Sequence, residues 1–266
     1  MELIDRKYYH DLFNDRFINE YVFNGKKNGY FVEIGALDGK VCSQTHFLEK
    51  AKNWNGIVVE PNSFWHQNLF NNRNCHIEKN PILDVEKEIK FLRHKEKPEY
   101  SKIESNNNEK NGFPEGDTDE IILKTITLTN LLKKFNAPKI IDVLTIDIEG
   151  HELNVLKEFF KNSKIKINTI ILEYGWQQTV ENFFYDTPYI QIKNPLLHFI
   201  RIDRKRDIIV RWQYNEWVGL DGKIYSDTES KDLEEVDWEY YFIHIDLLKK
   251  YPNLKTLIIP TTYKTY

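Results

Sequence analysis

Apolar residues run almost unbroken through four short segments: 30–34 (YFVEI), 56–60 (GIVVE), 142–148 (DVLTIDI) and 168–174 (NTIILEY). Such runs are too short for helices and suit strands covered on both faces. Between them the apolar positions fall at helical spacing. Residues 8–24 predict an amphipathic helix packed on the domain. Residues 44–52, capped by Ser43, predict a second, with Phe47, Leu48 and Ala51 inward. Asn62 is placed to cap 63–70, Thr129 the helix after KTIT, and a further helix spans 149–160. Segments 75–78 and 88–93 are two more strand candidates, on either side of Asp84.

Strands and helices alternate without an internal repeat, which predicts an open, mostly parallel sheet with helices on both faces. Ligands of such sheets bind beyond the carboxyl ends of the strands, at the switch point. After residue 185 the rhythm changes. Segments 198–203, 207–213, 217–220 and 223–225 read as antiparallel strands, with Asp221-Gly222 as a hairpin turn. Segment 240–246 reads as a last sheet strand. The picture is one domain with a helical N-terminal segment (1–28), an elaborated β-hairpin region on the substrate side (186–238) and a polar, Asn-rich stretch (99–119) expected to be a mobile loop.

Composition narrows the function. A chain of 266 residues, 41% hydrophobic, supports one substantial core. A net charge of −4 supplies no basic field for nucleic acid. No apolar run is long enough to span a bilayer, and the acidic N-terminus lacks a signal core. Two cysteines, Cys42 and Cys75, build no disulfide framework, so a cytoplasmic protein is expected. No zinc-ligand spacing is present.

The first strand runs into a glycine turn, FVEIGALDG, that carries Glu33 and Asp38. A dinucleotide's pyrophosphate needs a three-glycine fingerprint. Here Leu37 and Lys40 stand where the second and third glycines belong, and a carboxylate would repel the phosphates. The turn instead suits a ligand without phosphate that carries positive charge. S-adenosylmethionine has an α-ammonium, a sulfonium and a ribose diol. Glu33 or Asp38 can accept from the ammonium, and glycine lets the backbone approach. Glu60, ending the second strand, can accept both ribose hydroxyls. Asp84 lies where an adenine amino group would be met.

A second acidic edge follows in DVLTIDIEGHE. Asp147 ends a strand that should be central, and Glu173 ends the next at the same height. Two such carboxylates can hold a divalent cation such as magnesium, or a base and a polar substrate. His151, one turn into the following helix, is a candidate base. Glu152 is placed to favour the helix N-terminus.

At these residues the chain resembles the FkbM-type methyltransferases. The likeness rests on residues 29–39 (GYFVEIGALDG), Ser43 and Thr45 with Phe47 and Glu49, 54–62 (WNGIVVEPN), Thr127-Leu128, and above all 141–156 (IDVLTIDIEGHELNVL). It implies a Rossmann-like, seven-stranded, S-adenosylmethionine-dependent fold that O-methylates sugars or glycosylated compounds. Carried over by position, Glu33, Gly35, Asp38 and Gly39 would hold the methionine part, Glu60 the ribose, and Asp147 would face the methyl; the expected donor-binding set adds Ala36, Ser43, Pro61, Asn62 and Asp84 to these. Gln44 replaces the usual Asn, and the C-terminal third is longer and more aromatic than in a minimal member.

The acceptor hydroxyl needs a base, for which Asp147, His151 and Glu173 are the candidates, or a metal held by Asp147 and Glu173. Tyr174, Trp176, His198, Trp212 and Trp217 follow the ligand edge and suit a sugar or glycan acceptor. Two rival readings stand. A nicotinamide-dependent sugar enzyme is disfavoured by the broken fingerprint. A non-catalytic glycan-binding module is disfavoured by the intact acidic tips.

Overall fold

The computed structural model describes residues 8–104, 116–148, 150–173, 177–203, 208–213, 216–219, 233–234 and 239–259. Its centre is a seven-stranded sheet. The strands are β1 (Tyr30–Ile34), β2 (Asn55–Val59), β3 (His76–Glu78), β7 (Ile140–Ile146), β8 (Lys166–Glu173), β9 (Tyr189–Ile192) and β14 (Glu239–His244), in the order β3-β2-β1-β7-β8-β14-β9. All neighbouring pairs are parallel except those made by β14, which runs antiparallel between β8 and β9. The chain leaves β1 toward β2 on one side and returns to β7 on the other, so the switch point lies between β1 and β7.

Alternation along each strand feeds two cores. On one face Val32 and Ile34 of β1 join Leu144 and Ile146 of β7, Ile170 and Leu172 of β8 and Phe242. They pack under α4 (Leu128–Lys134), α5 (Glu152–Asn162) and α6 (Gln177–Phe184). On the other face Phe31, Val143, Ile171 and Tyr241 meet Phe47 and Leu48 of α2 (His46–Lys52) and Leu69 of α3 (His66–Asn72). The N-terminal residues Phe17, Ile18 and Val22 close that side. Burial on both faces is why the strands read as continuous apolar runs.

Several element starts differ from the sequence expectation, each for a local hydrogen-bonding reason. The N-terminal helix begins at Asn14, as α1 (Asn14–Arg16) running into a π-helical turn, Phe17–Val22. Upstream, Asp15 accepts from the backbone N–H groups of Tyr9 and His10 and holds them out of the helix. The α4 cap is Thr127, whose Oγ1 accepts from the Asn130 N–H at 3.1 Å; Thr129 bonds Glu158 instead. The next helix starts at Glu152 rather than 149, because the Glu152 carboxylate takes the N–H groups of Ile148 and Gly150.

Strand β4 (Glu88–His94) is not in the main sheet. It forms a separate antiparallel sheet with β5 (Lys102–Ile103) and β6 (Thr118–Lys124). The polar stretch 99–119 therefore contains β5 and the start of β6; its residues 105–115 lie outside the described residues. In the C-terminal region β10 (Ile200–Asp203), β11 (Ile208–Gln213), β12 (Glu216–Gly219) and β13 (Leu233–Glu234) form a four-stranded antiparallel sheet. The expected Asp221-Gly222 turn lies outside the described residues. Among the described residues no helix is long and apolar enough to cross a membrane.

Candidate active site

At the switch point the backbones of β1 and β7 touch. The Asp147 N–H donates to the Ile34 carbonyl at 3.0 Å. Gly35 sits at φ +90°, and a Cβ there would lie 2.2 Å from the Asp147 carbonyl oxygen. Glycine is required by that approach as well as by its dihedral. Gly39, at φ +75°, is a packing glycine: a Cβ would strike Leu69 and Arg73.

A cavity of about 320 Å³ opens beside this junction. Its lining combines apolar Pro81, Ile82, Phe91 and Ile103 with Gly35, Pro61 and the carboxyl groups of Glu60, Asp147 and Glu173. Glu60 is buried, and its two oxygens accept from different backbone N–H groups, Leu37 at 2.9 Å and Asn62 at 2.7 Å. Burial pushes its carboxyl up to about 8. The two N–H bonds oppose that rise and the nearby Asp147 charge adds to it.

Asn62 is buried beside the cavity rather than on its lining. Its Nδ2 donates to the Pro98 carbonyl and to Ser101 Oγ, pinning the segment that carries Tyr100 and Lys102 onto the cavity. This segment belongs to the stretch expected as a loop.

The carboxylate of Glu33 is spent on the protein itself. It accepts from Ser43 Oγ, the Gln44 N–H, Thr45 Oγ1 and Arg73 Nη1. Arg73, wholly buried, also binds Glu49 at 2.6 Å and the Gly39 carbonyl at 3.2 Å. A guanidinium with five donors ties Glu33, Glu49 and the glycine turn into one unit. Ser43 belongs to that unit and, through the His46 N–H, to the start of α2. Asp38 closes its own turn, accepting from the Lys40 and Val41 N–H groups at 2.8 Å, and Ala36 is packed in the core. Neither Asp38, Ala36, Gly39 nor Ser43 lines the cavity. In this structure these residues shape the turn, while Glu33 also lines a second, neighbouring cavity.

Two further expectations shift. Asp84 is exposed and off the lining of this cavity. His151 also lies off the lining; burial lowers its pKa, Asp84 opposes, and Lys87 and Lys102 assist. Asp147 and Glu173 do share the cavity. Among the described residues, however, no group of three or more His, Cys, Asp or Glu side chains is set to hold an ion. The expected metal pair therefore has no completed ligand set there. Tyr174 and Trp176 lie outside the described residues, as do the side chains of His198, Trp212 and Trp217.

Sequence reasoning missed Glu239. It pairs directly with Glu173 across β14 and β8, is half-buried, and accepts from Asn14 Nδ2 at 3.1 Å. Burial holds its carboxyl well above the usual range, Asn14 opposes, and Asp147 and Asp11 add to the rise. The signal was its place at the start of an antiparallel strand, which brings a first residue to the edge where parallel strands end. Arg73 was missed because its partners are 24 to 40 positions away.

A mostly parallel sheet with a cavity at its switch point defines the class: an α/β fold, of the kind whose ligands bind beyond the carboxyl ends of the strands. The Methyltransferase FkbM domain model matches residues 33–201, and the chain belongs to that family of methyltransferases. A solved structure, the methyltransferase FkbM from Methylobacillus flagellatus KT, is similar with 12% identity and a TM-score of 0.35. The match covers 59% of this chain and 36% of that one, so this chain spans about a third of that protein. No curated protein matches the chain.

Proposed function

We propose that the chain is an S-adenosylmethionine-dependent O-methyltransferase acting on a hydroxyl of a sugar or glycosylated compound. The observation that carries the donor is Glu60: a buried carboxyl, oriented by two backbone N–H groups, on the lining of a cavity that also holds apolar side chains and Gly35 of the β1–β7 junction. Each oxygen retains acceptor capacity for a ribose hydroxyl. Pro81, Ile82, Phe91 and Ile103 offer flat apolar surface to a purine, and Gly35 lets the backbone approach without phosphate chemistry.

The bound donor supplies a methyl already activated on a sulfonium. The chain's task is then alignment and proton removal. Asp147 and Glu173 stand on neighbouring strand tips at the cavity edge and are the residues to take the acceptor's proton; His151, off the lining, is a weaker choice. The exposed side chain of Asp147 can turn toward either ligand.

Calorimetric titration with S-adenosylmethionine and with NAD tests the donor. Binding of the first and not the second is expected, and the reverse would install the nicotinamide reading. Release of S-adenosylhomocysteine on a panel of sugars separates an enzyme from a glycan-binding module.

A further inference from the structure

Next to the donor cavity, under the N-terminal segment, lies a second cavity of about 290 Å³. The sheet register explains its chemistry. Glu33, Thr145, Ile171 and Tyr241 are direct neighbours across four strands, so they share one face. Two residues further along, Asp147, Glu173 and Glu239 emerge on that same face at the edge, with Glu173 and Glu239 directly paired. All three line the cavity, as does Asp11 from the N-terminal segment; among the described residues no Lys or Arg side chain does.

An acidic edge alone does not define a ligand. Thr145 supplies the independent observation. It lines the cavity at 1% exposure, and its Oγ1 has no hydrogen-bond partner. A buried hydroxyl left without a partner is costly, so such a group calls for a ligand that completes it. The cavity thus offers a hydroxyl backed by carboxylates on three adjacent strands.

We infer that this cavity is the acceptor's subsite and takes an amine-bearing sugar, its ammonium held among Asp147, Glu173 and Glu239 and a neighbouring polar group met by Thr145. The inference deepens the proposed function and rests on it for placing the donor in the first cavity. The donor's own amino-acid end also carries an ammonium, but with a carboxylate attached. That carboxylate would face Asp147, Glu173 and Glu239, whereas an amino sugar brings the cation without it. An ammonium has three donors and loses little by leaving water for several carboxylate oxygens.

The test is calorimetry on the full chain with methyl glycosides of aminohexoses, of their N-acetyl forms and of the parent hexoses, each with and without S-adenosylmethionine. The free amine is expected to bind at least about tenfold tighter than either neutral form, the scale of one charge-assisted hydrogen bond. Glu173→Gln should erase that preference, and Thr145→Val should weaken the amine several-fold, with circular dichroism confirming that both variants fold. Equal binding of the three probes, or no binding of the amine, overturns the inference. So does a Glu173→Gln variant that loses S-adenosylmethionine while keeping the amine, since the cavity would then hold the donor's amino-acid end. If the amine preference stands but S-adenosylmethionine does not bind the wild type, the proposed function falls and the amine site remains.

Discussion

On the proposed function Glu60 should couple donor affinity to pH, and the direction follows from its surroundings. Burial, with the Asp147 charge adding, lifts the carboxyl from 4.5 to about 8, so in the ligand-free protein it holds a proton at neutral pH. A ribose diol donates best to the ionised form, so binding must release that proton. Below about pH 8 the affinity should therefore rise with pH, by at most tenfold per unit, and level off above. From about pH 6 to about pH 8 the limit is roughly a hundredfold, or about 2.7 kcal/mol. Stability runs the other way. The folded state holds more protons than the unfolded one between 4.5 and about 8, so the ligand-free protein loses stability as pH rises through that window. The thermal shift produced by the donor should accordingly widen with pH. Isothermal titration with S-adenosylmethionine across this range reads the slope, and Glu60→Gln, which does not titrate, should flatten it. A flat profile in the wild type, or an unchanged slope in the variant, would refute the reasoning.

Other outcomes follow from the same contacts. Arg73→Met leaves Glu33 and Glu49 buried without their cation; the loss should be about 3–5 kcal/mol by urea denaturation, and a loss under about 1 kcal/mol would mean the network is dispensable. Gly35→Ala places a methyl 2.2 Å from the Asp147 carbonyl at φ +90°; β1 and β7 must part, and donor binding should drop below detection while circular dichroism stays near native. Thr127→Ala removes the α4 cap and should cost about 1 kcal/mol without changing donor affinity, which calorimetry on the same sample checks.

The strands were legible because burial on both faces writes itself as continuous apolar residues: 30–34 is β1 to the residue. Helix starts were less so. Whether a chain enters a helix at 149 or 152 depends on where the Glu152 carboxylate turns, and several geometries satisfy the same letters. Glu60 and Asp147 were readable as strand-end residues because each follows an apolar strand, and both line the cavity at the sheet edge. Glu33 and Asp38 looked equivalent but are consumed by Arg73 and by local N–H groups. Such partners are set by tertiary packing, which one sequence does not display. Glu239 lies 66 positions from Glu173 in sequence and reaches it only through an antiparallel strand inserted between two parallel ones. Strand β4 lies where the sequence expects a strand, but its partners were not legible: its apolar alternation is the same whether it joins the main sheet or pairs with β5 and β6.

The most direct measurement is a crystal structure of the chain grown with S-adenosylhomocysteine. Both ribose hydroxyls should lie on the Glu60 carboxylate and the purine against Ile82, Phe91 and Ile103. A nucleoside bound elsewhere, or a ribose turned away from Glu60, would contradict that placement.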